Sequence, residues 1–170
     1  MRHARLLLPA LVLVACLPAP APGVTYSADG VRFTAPPGWD VRIGSTDPAQ
    51  RLATVALLAN QPIDAECRLP QPCATPIDDL APAGVLVLWV TDRCLPDCQL
   101  PDTGRMLVGG REAARITAGV ECGAGPAAEM IMIAVTPQRI DRISACYGGA
   151  DPAPHTAFEA LLGSIAWTVP

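Results

Sequence analysis

Three apolar runs constrain what this chain can fold into: "LATVALLA" from Leu52, "GVLVLWV" from Gly84 and "MIMIAV" from Met130. Each is apolar at both odd and even positions, and turn residues bound each one. Runs of this length suit central strands of a sheet covered on both faces, although "LATVALLA" also fits a helix. Other stretches fill out the sheet. Val24–Ser27 and Val31–Thr34 flank "ADG", a hairpin turn in which Gly30 supplies positive φ. After the break "APPGW", Asp40–Ile43 predicts a further short strand. In "REAARITAGV", Glu112, Ala114, Ile116, Ala118 and Val120 share one face, opposite a wetter face carrying Arg111 and Arg115. "TPQR" predicts a hairpin joining "MIMIAV" to "RIDRISACY", with Pro137 setting the turn.

Near the end the period changes. Phe158, Leu161, Leu162 and Ile165 lie at i, i+3, i+4 and i+7, the stripe of an amphipathic helix with Asp151 or Thr156 as cap and Gly163 near its exit. A second, shorter helical turn is predicted from Thr75, with Pro76 at its first position and Asp78 and Asp79 complementing its dipole. A strand meander closed by a helix is an α+β domain with a largely antiparallel sheet.

Seven cysteines add a covalent constraint: Cys16, Cys67, Cys73, Cys94, Cys98, Cys122 and Cys146. Setting Cys16 aside leaves an even set suited to three bridges outside the cytoplasm. "CRLPQPC" and "CLPDC" each place two cysteines around a proline. The preferred pairing among fifteen connectivities is therefore Cys67–Cys73, Cys94–Cys98 and, by elimination, Cys122–Cys146. Structural zinc is disfavoured because only Cys94 and Cys98 have ligand-pair spacing, and redox catalysis because three residues rather than two separate them.

Cys16 is explained by its surroundings. Residues 1–15 combine the basic head Met1-Arg2-His3-Ala4-Arg5 with a short apolar run, "LLLPALVLVA". About ten residues make roughly 15 Å of helix, half of a bilayer's hydrocarbon core, so the layout is that of a secretory signal and not of a spanning helix. Leu13-Val14-Ala15-Cys16 resembles the lipobox of bacterial lipoproteins. That resemblance implies cleavage before Cys16, a diacylglyceryl thioether on its sulfur and often an acylated new amino terminus. Two or more acyl chains anchor stably where one holds only marginally. Residues 16–23, with "LPAPAPG", then read as a lipidated cysteine and a semi-rigid tether, and residues 24–170 as one globular domain. Within that domain "GVRFTAPPGWDVRIG" and "AFEALLGSIAWTVP" resemble the opening and closing segments of the PsbP-like fold. The resemblance implies a sheet flanked by helices, as used by some bacterial lipoproteins.

Charge narrows the partners. All twelve basic residues are arginine, and without Arg2 and Arg5 ten arginines face sixteen acids, a net charge of −6. That balance argues against nucleic acid or an anionic membrane surface as partner.

Candidate reacting groups are sparse. His155 is the one histidine beyond the signal, and Ser27, Ser45, Ser144 and Ser164 lack a nucleophile elbow, so a hydrolase triad is disfavoured. Asp78 and Asp79, alone or with Asp64 or Glu66, form possible acid–base pairs but read more simply as solvated acids. Asp92, Asp97 and Asp102 surround "CLPDC" without the rhythm of a calcium loop. Trp39, Trp89 and Trp167 read as core or core-edge aromatics, and Arg111, Arg115, Arg139 and Arg142 as solvated strand residues in preference to an anion site. No catalytic, cofactor-binding or metal-binding residue is assigned. The expectation is a lipid-anchored protein on the outer face of the cytoplasmic membrane, a non-catalytic module for a protein, peptide or small apolar ligand. The alternatives are an envelope hydrolase and an accessory subunit of an envelope complex.

Overall fold

The computed structural model describes residues 22–44, 50–67, 69, 76–120, 125 and 127–168. The expected signal, Cys16, most of the tether, Cys73 and Cys122 lie outside the described residues. Ten strands and one helix are described in the order β1 (Val24–Ala28), β2 (Val31–Ala35), β3 (Asp40–Ile43), β4 (Leu52–Ala59), β5 (Val85–Arg93), β6 (Arg105–Val108), β7 (Arg111–Ile116), β8 (Ala127–Thr136), β9 (Arg139–Tyr147), α1 (Pro152–Gly163) and β10 (Ala166–Trp167). Seven strands form one antiparallel sheet in the order β3-β4-β5-β9-β8-β7-β6, and β1-β2-β10 form a second.

Local chemistry accounts for the hairpins. The β1–β2 turn is the two-residue Asp29-Gly30, both at positive φ, the mirror-image turn whose twist matches its strands. Gly109 has φ of +57° where β6 turns into β7, and a Cβ there would sit 2.8 Å from Nε1 of Trp167. Only glycine lets that hairpin approach β10 so closely. Pro137 and Gln138 make the β8–β9 turn, as expected.

The "LATVALLA" run is strand β4, with a bulge between Thr54 and Ala56. Strands alternate their burial around one core. Phe33 of β2, Leu58 of β4, Trp89 of β5, Ile131 and Ile133 of β8, Ile143 of β9, and Phe158 and Leu161 of α1 pack together. The small sheet and α1 thus cover one face of the large sheet. On the other face a smaller cluster joins Leu57, Leu86 and Cys146 to Ile63, Cys67 and Ile77 of the β4–β5 connection. That cover is partial. Leu88, in the middle of β5, remains 37% exposed, so the two-sided burial expected of the runs holds along only part of their length.

Helix α1 begins where the pattern placed it. The Asp151 carboxylate caps it, accepting the Ala153 amide at 2.9 Å. The second helix is not formed at residues 76–80, where Ile77 is buried in an irregular segment, and Thr75 lies outside the described residues. Burial of Ile77 against the sheet requires one anchoring side chain rather than a helical face, so Pro76 and the following acids serve a bend.

The β5–β6 connection, residues 94–104, passes beyond β9, β8 and β7 to reach β6 at the far edge. It is pinned as it leaves. Cys94 and Cys98 form a disulfide with Cα atoms 5.1 Å apart. The Cys94 amide donates to the Gln138 carbonyl at 3.1 Å and the Cys98 amide to Pro137 at 2.7 Å. Cys67 and Cys146 are each held in a disulfide as well.

Candidate functional site

Strand register draws three arginines to one end of the large sheet. Arg93, the last residue of β5, stands directly opposite Arg139, the first of β9. Its amide donates to the Arg51 carbonyl at 2.9 Å, which brings in the residue preceding β4. Like charges placed opposite one another destabilise a sheet, so carboxylates are required nearby. Asp141, with no accessible surface, accepts from Arg139 Nε at 3.0 Å, and Asp29 pairs with the same guanidinium. Asp92 takes Arg142 at 3.0 Å and, more loosely, Arg51 at 3.6 Å. Among the described residues Arg93 has no ion pair.

These arginines, with Cys94, Leu95, Thr136 and Gln138, line an open cleft of about 680 Å³. Its lip is the "CLPDC" loop. Leu95 is 94% exposed at the tip of that loop, although the loop is braced by its disulfide and by its bonds to the β8–β9 turn. The Gln138 side-chain amide adds a bond to Asp97 at 3.2 Å. With the loop braced in this way, the Leu95 side chain stands in water at the mouth of the cleft. The cleft therefore offers guanidinium donors beside an apolar knob.

A second polar cluster lies against α1. Arg115 Nη1 contacts the buried Glu129 carboxylate at 3.2 Å, and its Nη2 pairs with Glu159. His155 Nε2 sits 3.3 Å from Glu129 and 3.6 Å from Glu159. Tyr147 donates its phenol to Glu129. Burial first, and then the adjacent Glu129, push that phenol far above its ordinary range, so it remains a donor. The donor atoms of Glu129, His155 and Glu159 lie within 4.8 Å of one another, close enough to share a cation. Arg115 already supplies positive charge to both carboxylates, and the cluster satisfies a buried acid without any added ion.

The candidates from sequence are dispersed. His155 is exposed, its side chain 49% accessible, and its Nε2 lies beside two acids. Ser164 bonds to the backbone of Thr34 and Leu161, and Ser144 points to the opposite sheet face from Tyr147. Neither meets His155; Ser45 lies outside the described residues. Asp64, Glu66, Asp78 and Asp79 are all exposed. Asp92, Asp97 and Asp102 do not converge: the first pairs with Arg142, the second with Gln138, the third with Arg105 at 3.3 Å. Trp89 is fully buried, and Trp39 and Trp167 pack against the core, as expected.

The arginines differ from the solvated row expected. Arg111 lies 5.1 Å over the Trp167 ring, Arg115 joins the Glu129 cluster and Arg139 reaches the buried Asp141, while Arg142 projects from the other sheet face. Glu129 and Asp141 are not among the residues singled out from sequence. A signal for them exists there: Glu129 is in phase with inward Ile131, Ile133 and Val135, and Asp141 with Ile143, Ala145 and Tyr147. An acid in phase with a buried series requires a partner.

No protein-family model and no curated protein matches this chain.

Proposed function

We propose that the chain is exported, lipidated at Cys16 and held on the outer face of the cytoplasmic membrane, where a single disulfide-braced domain of PsbP-like layout binds ligand without transforming it. The binding site is the arginine-lined cleft beneath Leu95, and its ligand carries an anionic group beside an apolar portion. One observation carries this reading: an almost fully exposed leucine is fixed at the lip of a cleft whose Arg93 has no ion pair among the described residues. Arginine is among the residues enriched in binding hot spots.

Two measurements test it. Mass spectrometry of the native protein is expected to give acyl chains on an amino-terminal Cys16 and no free thiol; an unmodified Cys16 thiol defeats the anchor. Anilinonaphthalene sulfonate, an anionic aromatic probe, is expected to bind the folded protein and to lose affinity in both Arg93→Ala and Leu95→Asp. Unchanged binding in both variants defeats the site.

The accessory-subunit reading draws on a different feature. Leu88, Met130 and Met132 lie on the partly open face of the large sheet, a surface a larger assembly would cover.

A further inference from the structure

We infer that the ligand of the Leu95 cleft is the anionic phospholipid surface itself, with Leu95 seated among acyl chains and Arg51 and Arg93 on lipid phosphates. This rests on the cleft being the binding site, as proposed above. It runs against the expectation from net charge, which summed the chain and did not weigh the direction in which charges face.

Direction is decided at this end of the sheet. Arg51, Arg93, Arg139 and Arg142 are matched in number by Asp29, Asp92, Asp97 and Asp141. The acids are mostly turned inward. Asp141 is inaccessible and bonded to Trp89 and Arg139, Asp29 is held by Arg139, and Asp92 by Arg142. Asp97 is the exposed one, engaged by Gln138. Outward stand Arg93 and Arg51, whose side chain is 83% exposed and meets Asp92 only at 3.6 Å. Charges farther than a Debye length, about 8 Å, from a surface touching this rim are largely screened, so the acidity of the rest of the domain weakens the approach little and disfavours other orientations.

The apolar component fits a bilayer. Leu95 projects from a loop closed by a disulfide, and Leu52, 52% exposed, lies at the same end of the sheet on its other face. A bilayer meets the whole end of a domain and so reaches both. The cleft volume lies within the range that takes small molecules, roughly 300–1,000 Å³, enough for a glycerophosphate headgroup.

The tether permits the contact. From Cys16 to Val24 is eight residues, at most about 29 Å of chain. Strand β1 then runs five residues to the Asp29 turn, roughly 17 Å, and Asp29 touches Arg139 in the cleft wall. The reach of the tether exceeds that span, so an anchor at Cys16 does not hold the rim away from the lipid.

The test uses the native lipidated protein in phosphatidylcholine vesicles with and without phosphatidylglycerol. The indole introduced by Leu95→Trp is expected to be quenched by brominated acyl chains when phosphatidylglycerol is present and to recover in high salt. Arg93→Ala is expected to weaken this lipid-dependent association about fivefold. An indole that stays bright in anionic vesicles, or is quenched equally in pure phosphatidylcholine, overturns the inference. If the probe assay still requires Arg93 in that case, the cleft stands and a soluble acidic partner replaces the lipid. Should detergent-phase partition show no anchor, the full chain is added to vesicles from solution. It is then expected to sediment with anionic ones, about tenfold less after Leu95→Asp, and failure to sediment overturns the inference.

Discussion

The indole N–H of Trp89 donates to the Asp141 carboxylate at 2.8 Å, inside a core where neither residue has accessible surface. That carboxylate also holds Arg139, so one buried acid ties the large sheet's aromatic core to the wall of the candidate binding cleft.

Removing the acid leaves an orphaned indole donor and an under-compensated guanidinium. Asp141→Ala is expected to cost about 3–5 kcal/mol in denaturant unfolding. Asp141→Asn keeps an acceptor for Trp89 and costs less. Equal losses in the two variants would mean that the carboxylate charge carries the whole effect and that a neutral acceptor for Trp89 contributes nothing.

Tyr147 makes the fold sensitive to alkali. Its phenol is raised in the folded protein by burial and then by Glu129, whereas in the unfolded chain it ionises near its ordinary value of 10.0. The stabilisation is complete below pH 10.0 and declines as pH rises beyond it, by about 1.4 kcal/mol per pH unit. Tyr147→Phe should be less stable at neutral pH, because Glu129 loses a donor, yet show a shallower alkaline decline. Parallel pH profiles for parent and variant would refute the assignment.

The Cys94–Cys98 bridge closes a very short loop. Replacing both cysteines with serine is expected to cost about 2 kcal/mol in the chain-entropy account. The larger effect is local. Hydrogen exchange at the Cys94 and Cys98 amides, which bond to Gln138 and Pro137, should accelerate well beyond the global change. Protection retained at those amides would show that the β8–β9 turn alone holds Leu95 in place.

Much of the architecture is legible locally. Strands β4, β5 and β8 follow from apolar runs bounded by turn residues, β9 from the hairpin at "TPQR", and α1 from the spacing of Phe158, Leu161 and Leu162 after Asp151. The Asp29-Gly30 and Pro137-Gln138 turns follow from backbone preference. Strand β10, at two residues, is too short to display a period, and β6 is not among the stretches that the pattern marks as strand. The partial second cover is hidden for another reason: an apolar run records that burial is favourable, not which segment supplies it.

Residues near one another in the chain suffice to set the alternation, the turns, the helix with its cap and the pairing of Cys94 with Cys98 across a proline. The folded sheet was needed to bring Arg51, Arg93 and Arg139 together beneath Leu95, and to bring His155 within 3.3 Å of Glu129. Those meetings depend on strand register, and on β5 pairing with β9 although β6, β7 and β8 lie between them in the chain. Contacts across such separations are fixed by the packing of the whole core, which no local period encodes.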